Sequence, residues 1–143
     1  MHEIIKNFKY LHIILLCKGC SMAAKKSVLI IEDEKNIANA QKLILGDEFD
    51  VSVAYDGDTG MKKIKELMPD LIVLDLMLPN RGGYDICFSV RQDPKLQSIK
   101  ILMVTALTQS VDKDKGVMVG ADGYLTKPFE PEQLLGAVRK LLS

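Results

Sequence analysis

Apolar runs and amphipathic stretches alternate five times along this chain from Lys25 onward. Residues 28–31, 71–74 and 101–104 are near-continuous in Val, Ile, Leu and Met, and 51–54 is a weaker run of the same kind. Runs this short, without polar alternation, read as strands covered on both faces. Tyr124-Leu125 belongs to a fifth, short strand. Between these runs the apolar period lengthens to that of a helix. Ile37, Ala40, Ile44 and Leu45 mark a first helix, and Thr59, Met61, Ile64 and Leu67 lie along a second at 56–67, which Pro69 closes. Gly82-Gly83 opens a third, running to about residue 92 with Ile86, Cys87 and Val90 inward. A weaker helix is predicted over 111–119. The last covers 131–142, with Leu134, Leu135, Val138, Leu141 and Leu142 as its buried stripe and Pro131 at its first position. Right-handed crossovers between such units give an α/β fold, an open doubly wound parallel sheet with helices on two faces.

Composition changes this picture little. The 143 residues suggest one domain, and 48% hydrophobic with 27% charged residues is ordinary for a globular one. Lys and Arg number 19 and so do Asp and Glu, so bulk charge points to neither nucleic acid nor an anionic membrane. Three cysteines make no disulfide framework, and Cys87 reads as a small buried hydrophobe; a reducing cytoplasm is the expected location.

The first residues stand apart. Residues 1–24 read as an extension or a mis-assigned start, with Met22 as the alternative first residue, and 25–143 as the working domain. The apolar stretch Tyr10-Leu-His-Ile-Ile-Leu-Leu-Cys17 is too short to span a membrane, which takes ~20 residues, and lacks the cleavage pattern of a signal peptide. His2, His12, Cys17 and Cys20 are possible zinc ligands, but the histidine spacing matches no finger pattern. Both histidines lie here, so the main body has none to act as base, nucleophile or ligand.

The candidate chemistry sits at strand tips. Glu32-Asp33 follow the first strand, Asp75 ends the third, Thr105 ends the fourth and Lys127 follows the fifth. In an open parallel sheet ligands bind at the carboxyl ends of the strands, so these distant residues converge. Crowded carboxylates repel and tend to take up protons. A divalent cation removes that conflict; magnesium takes hard oxygen ligands from one or two carboxylates and a phosphate. Asp33 and Asp75 suit it, with Glu32 acting through a water. Asp75 is then placed to attack phosphorus. The charge spread over three phosphoryl oxygens is met by the cation, Lys127, and Thr105 with nearby backbone N–H groups. Each residue also has an ordinary use taken alone: Asp33 as a helix cap, Lys127 as a solvated lysine, Thr105 as a strand residue. Four matching strand ends together favour the phosphoryl chemistry.

Four blocks, Val28-Leu-Ile-Ile-Glu-Asp-Glu34, Leu71-Ile-Val-Leu-Asp-Leu-Met-Leu-Pro79 with Gly82-Gly83, Met103-Val-Thr-Ala106 and Gly120-Ala-Asp-Gly-Tyr-Leu-Thr-Lys-Pro-Phe129, resemble the response-regulator receiver domain of bacterial two-component systems. The resemblance runs from about Lys26 to Leu142. It implies a five-stranded sheet of flavodoxin-like order 2-1-3-4-5 with five helices. It implies Asp75 as phosphoacceptor, and Glu32, Asp33, Asp75 and the Met77 backbone carbonyl as ligands of magnesium, with manganese as a substitute. It implies Thr105 and Lys127 on the phosphoryl group, a cis bond between Lys127 and Pro128, and a switch in which Thr105 moves toward the phosphate while Tyr124 swings inward. A sensor histidine kinase or phosphotransfer protein would be the donor and a further protein the target, with phosphorylation-induced dimerisation possible. Met77 and Leu107, each two residues past a site residue, are apolar and orient no water, so spontaneous dephosphorylation should be slow.

Read this way, the chain is a stand-alone signalling switch rather than an enzyme, without direct nucleic-acid or membrane contact. An unphosphorylated interaction scaffold on the same fold is the alternative. A hydrolase of the haloacid-dehalogenase type would want a second carboxylate where Met77 stands, and no Gly-rich phosphate-binding run supports a nucleotide-binding module.

Overall fold

The computed structural model describes residues 25–106 and 120–143. The strands are β1 (Ser27–Ile31), β2 (Asp50–Ala54), β3 (Leu71–Asp75), β4 (Lys100–Thr105) and β5 (Gly123–Thr126). The helices among the described residues are α1 (Lys35–Leu45), α2 (Gly57–Leu67), α3 (Gly83–Gln92) and α4 (Pro131–Leu142). All strand pairs are parallel and the order is β2-β1-β3-β4-β5, as the resemblance implies. The helix expected over 111–119, the extension at 1–24 with its candidate zinc ligands, and Leu107 lie outside the described residues.

Alternation along the central strands splits the core in two. Leu29, Ile31, Ile72, Leu74, Ile101 and Met103 face α2 and α3. Val28, Ile30, Leu71, Val73, Leu102 and Val104 face α1 and α4. Both faces of β3 are fully covered, which is why its sequence shows no polar alternation. Ile86, Cys87 and Val90 are buried as expected, and burial pushes the Cys87 thiol up to about 11.

Two helical faces differ from the pattern. On α1 the buried positions are Ala38, Gln41 and Leu45, while Ala40 is exposed. A small residue lets the helix approach the sheet, and a glutamine is not counted as inward by an apolar pattern. On α2 the buried positions are Gly57, Gly60, Met61 and Ile64; Thr59 and Leu67 are exposed. Thr59 is turned outward by its capping role: the Asp56 carboxylate accepts its N–H at 2.7 Å and its hydroxyl at 2.9 Å. Leu67 is the last residue before Met68 turns left-handed, φ 48°. At α4, Pro131 does open the helix, and the Glu130 N–H donates to the Gln133 side chain at 2.7 Å. No helix among the described residues is long and apolar enough to cross a membrane.

Candidate functional site

Parallel pairing places all five strand tips on one edge. Asp75 lies beside Val104 and Thr105 beside Thr126, so the tips of β3, β4 and β5 stay level. The Glu32 N–H donates to the Ala54 carbonyl at 3.0 Å, which carries the β1–β2 ladder one step beyond the strands. The Lys127 N–H likewise donates to the Thr105 carbonyl at 2.8 Å. Backbone bonding therefore brings residues 32, 75, 105 and 127 to the same edge of the sheet.

The distances bear this out. One oxygen each from Glu32, Asp33 and Asp75 lies within 4.8 Å of the others. Lys127 Nζ donates to Asp75 Oδ2 at 3.0 Å and to both Glu32 oxygens at 3.3 Å. Asp75 Oδ1 accepts the Met77 N–H at 2.9 Å. Glu32 is 2% exposed, Asp75 7% and Thr105 0%, while Asp33 opens to solvent. The Met77 side chain is 69% exposed at the mouth. Tyr124, beside Met103 in the sheet register, is half-buried against the α2–α3 core. The Lys127–Pro128 peptide is cis, as the resemblance implies.

Electrostatics make this a strained neighbourhood without a cation. Burial, then hydrogen bonding and repulsion with Asp75, push Glu32 up to about 8; Lys127 works the other way. Burial also pulls Asp75 upward, but hydrogen bonds from Glu32, the Met77 N–H and Lys127 outweigh it and hold Asp75 below the usual carboxylate range. For Lys127 burial pulls downward, and the two acids win and raise it. The crowding thus pushes the two acids apart, Glu32 toward its protonated form and Asp75 toward its ionised form beside Lys127.

The donor set fits a hard divalent ion. It offers three carboxylates and no sulfur or imidazole, with one oxygen of each inside 4.8 Å of the others, close enough for one hard ion to gather them.

Residues 28–139 match the family model of the response regulator receiver domain. The chain belongs to that family. The response regulator ArlR of Staphylococcus saprophyticus is 44% identical over 116 residues, covering 80% of this chain and 51% of ArlR. The DNA-binding response regulator MtrA of Mycolicibacterium paratuberculosis is 39% identical over 119 residues, 82% of this chain and 52% of MtrA. The chain spans about half the length of these curated relatives. Among solved structures, the Vibrio cholerae chemotaxis protein CheY4 superposes with a TM-score of 0.79 at 32% identity, covering 83% of this chain and all of that one. Receiver domains are signalling switches of two-component systems rather than classical enzymes; phosphorylation on aspartate and magnesium binding are typical of the family.

Two features were not singled out from sequence. Gln41 is 2% exposed, and its side-chain oxygen has no hydrogen-bond partner. It lines an apolar groove of about 510 Å³ between α1 and the segment Lys127–Pro131, opening beside the acidic hollow. The other is the tight seating of the loop after Asp75 against α2. A glutamine in the phase of an apolar helix stripe was the one available signal for the first; the second left none.

Proposed function

We propose that this chain is a phosphorylation-driven switch in which Asp75 accepts a phosphoryl group from the phosphohistidine of a sensor kinase or phosphotransfer protein. The observation that carries this is the meeting of Glu32, Asp33, Asp75 and Lys127 around one hollow, with the acids within 4.8 Å of one another and the amine 3.0 Å from Asp75. An Asp75 oxygen attacks phosphorus; the P–N bond to the donor imidazole breaks as the new P–O bond forms. Magnesium held by Glu32, Asp33, Asp75 and the Met77 carbonyl would supply charge neutralisation to the crowded acids and the phosphoryl oxygens. Lys127, already on Asp75 Oδ2, moves to a phosphoryl oxygen as that carboxylate becomes an acyl phosphate. Thr105 meets another oxygen with its hydroxyl, and Tyr124 turns inward as Thr105 shifts. The apolar groove along α1, beginning at Lys127, supports docking of the donor on that side of the hollow.

Output is a change in which partner the switched face binds, or onward transfer of the phosphate. MtrA is a DNA-binding regulator by name, so absence of nucleic-acid contact is proposed only for the residues present in this chain. The exposed Met77 presents no group to orient a water, and the phosphorylated state should be long-lived.

Acetyl phosphate or a panel of kinases with magnesium, read on a phosphate-sensitive gel, tests the assignment. Wild type should shift; Asp75→Asn and magnesium-free samples should not. A full shift in Asp75→Asn would sink it. Polar replacements at Met77 and Leu107 should speed loss of the phosphate; an unchanged rate would reject the idea that apolar residues there prolong the signal.

A further inference from the structure

The loop from Leu76 to Gly82 links Asp75 to α3 and carries the Met77 carbonyl. It is gripped at both ends by glycines. At α3, the Gly83 N–H donates to the Leu76 carbonyl at 3.1 Å, and a Cβ on Gly83 would stand 2.5 Å from the Asp75 carbonyl oxygen and 2.8 Å from Leu76 Cα. At the other contact the loop leans on the first residue of α2. The Gly57 N–H donates to the Pro79 carbonyl at 3.3 Å, and the Arg81 N–H donates to the same oxygen at 2.8 Å. A Cβ on Gly57 would fall on the Arg81 carbonyl oxygen, with Arg81 Cβ at 2.6 Å and its carbonyl carbon at 2.8 Å. Two of those three atoms are backbone, so no side-chain rotation makes room. Asp58, next on α2, faces Arg81 at 3.6 Å. Asn80 between them is left-handed, φ 70°.

We propose, resting on the metal-site reading above, that Gly57 is a positioning residue for the magnesium and phosphoryl site. It touches neither group. Its bare α-carbon lets α2 serve as the wall against which the loop sets, and the loop sets the height of Met77 relative to Asp75. The Met77 N–H, bonded to Asp75 Oδ1 at 2.9 Å, ties the loop directly to the acceptor carboxylate. A methyl at Gly57 must drive the loop back by roughly 1 Å, because close-packed surroundings leave no slack. Displacements of about that size in a positioning element can cost on the order of 10²-fold.

The test is magnesium affinity measured by titration calorimetry on the full chain, alongside urea unfolding. Gly57→Ala should weaken magnesium about tenfold or more, the range seen when outer supports of a metal site are lost. Ile64→Ala is the control: it lies on the same helix, fully buried, and opens a cavity about two turns along α2 from the Gly57 contact. It should destabilise at least as much yet leave the affinity within about twofold of wild type. Gly57→Ala binding as wild type does, or Ile64→Ala weakening magnesium equally, would overturn the assignment. If Gly57→Ala does not fold in plain buffer, it and wild type are titrated side by side in trimethylamine N-oxide, which favours the compact state. The variant should again bind magnesium about tenfold more weakly or worse, and an affinity equal to that of wild type would overturn the proposal. Wild type that binds no magnesium at all would sink the metal-site reading itself, an outcome separate from the behaviour of Gly57.

Discussion

The two edges of the sheet use charge in opposite ways. At the amino edge, opposite charges pair off and hydrogen-bond the backbone. Arg91 donates to the carbonyls of Gly120, Gln97 and Ile99 and to Asp122 at 2.6 Å, while Asp122 also accepts the Ile101 N–H at 2.8 Å. Asp70 accepts the Ser27 N–H at 2.7 Å, and Lys26 reaches the Leu142 carbonyl at 2.9 Å. At the carboxyl edge, three acids crowd within 4.8 Å and one lysine serves two of them. The first arrangement satisfies every group named and holds elements together. The second relieves the crowding of like charges only by pushing Glu32 toward its protonated form, an arrangement that stability alone would not retain and that a cation and a phosphoryl group would replace. Pairing marks scaffold here, and a carboxyl driven from its usual range marks the site.

That contrast can be broken at either edge. The largest effect on stability is expected from Arg91→Ala, which strips several charge-assisted bonds from a half-buried cluster. Unfolding in urea should show a loss of about 2–4 kcal/mol, with magnesium affinity unchanged; a loss of affinity would mean the edges are not independent.

Next comes pH. Glu32 ionises at about 8 in the folded protein against 4.5 for the free group. Between those values the native state holds a proton that the unfolded chain has released, so its contribution to stability is full below 4.5 and lost as pH rises toward 8. Metal-free protein should therefore weaken across that window, by at most about 1.4 kcal/mol per pH unit for one proton. Asp75, held low, acts in the opposite sense, its contribution fading only as pH falls below the usual carboxylate range. Saturating magnesium at pH 8 should restore stability. A metal-free protein equally stable at pH 5 and pH 8 would contradict the upward push on Glu32.

Smaller still is Asp75→Asn measured without metal. It is expected to abolish phosphorylation, yet it should shift stability by less than about 1 kcal/mol, because Glu32 can then ionise and take over Lys127. A loss as large as that of Arg91→Ala would show Asp75 to be a scaffold residue instead. The smallest effect is expected at the exposed Arg139–Glu48 pair joining α4 to the turn after α1. Arg139→Ala should leave the urea midpoint close to that of wild type, because solvent screens an exposed pair; a shift approaching that of Arg91→Ala would show the pair to be part of the scaffold.

Most of the architecture was legible because it depends on local periodicity. The unbroken apolar run of β3 required two covered faces, and Pro131 marked the start of α4. What the pattern left open were phases: Ile37, Ala40, Ile44 and Leu45 marked α1 by their spacing, whereas Ala38, Gln41 and Leu45 are its buried positions. A period fixes the angular spacing of a helix stripe but not which residue sits nearest a sheet, and that depends on how closely the helix is allowed to approach. The candidate site residues were legible for a different reason: Glu32, Asp33, Asp75, Thr105 and Lys127 each follow or end a strand of one parallel sheet, and of these Glu32, Asp33, Asp75 and Lys127 come within a few ångströms of one another.

The chain by itself therefore determined the order of elements, the edge on which chemistry gathers and the oxygen-rich character of that edge, since these follow from strand parity and residue type. Only the tertiary structure decided which acid is pushed toward its protonated form, that Lys127 bridges two acids, and that a side chain at Gly57 would meet the Arg81 backbone. Those depend on separations of a few ångströms between segments far apart along the backbone, and no spacing in the sequence encodes them.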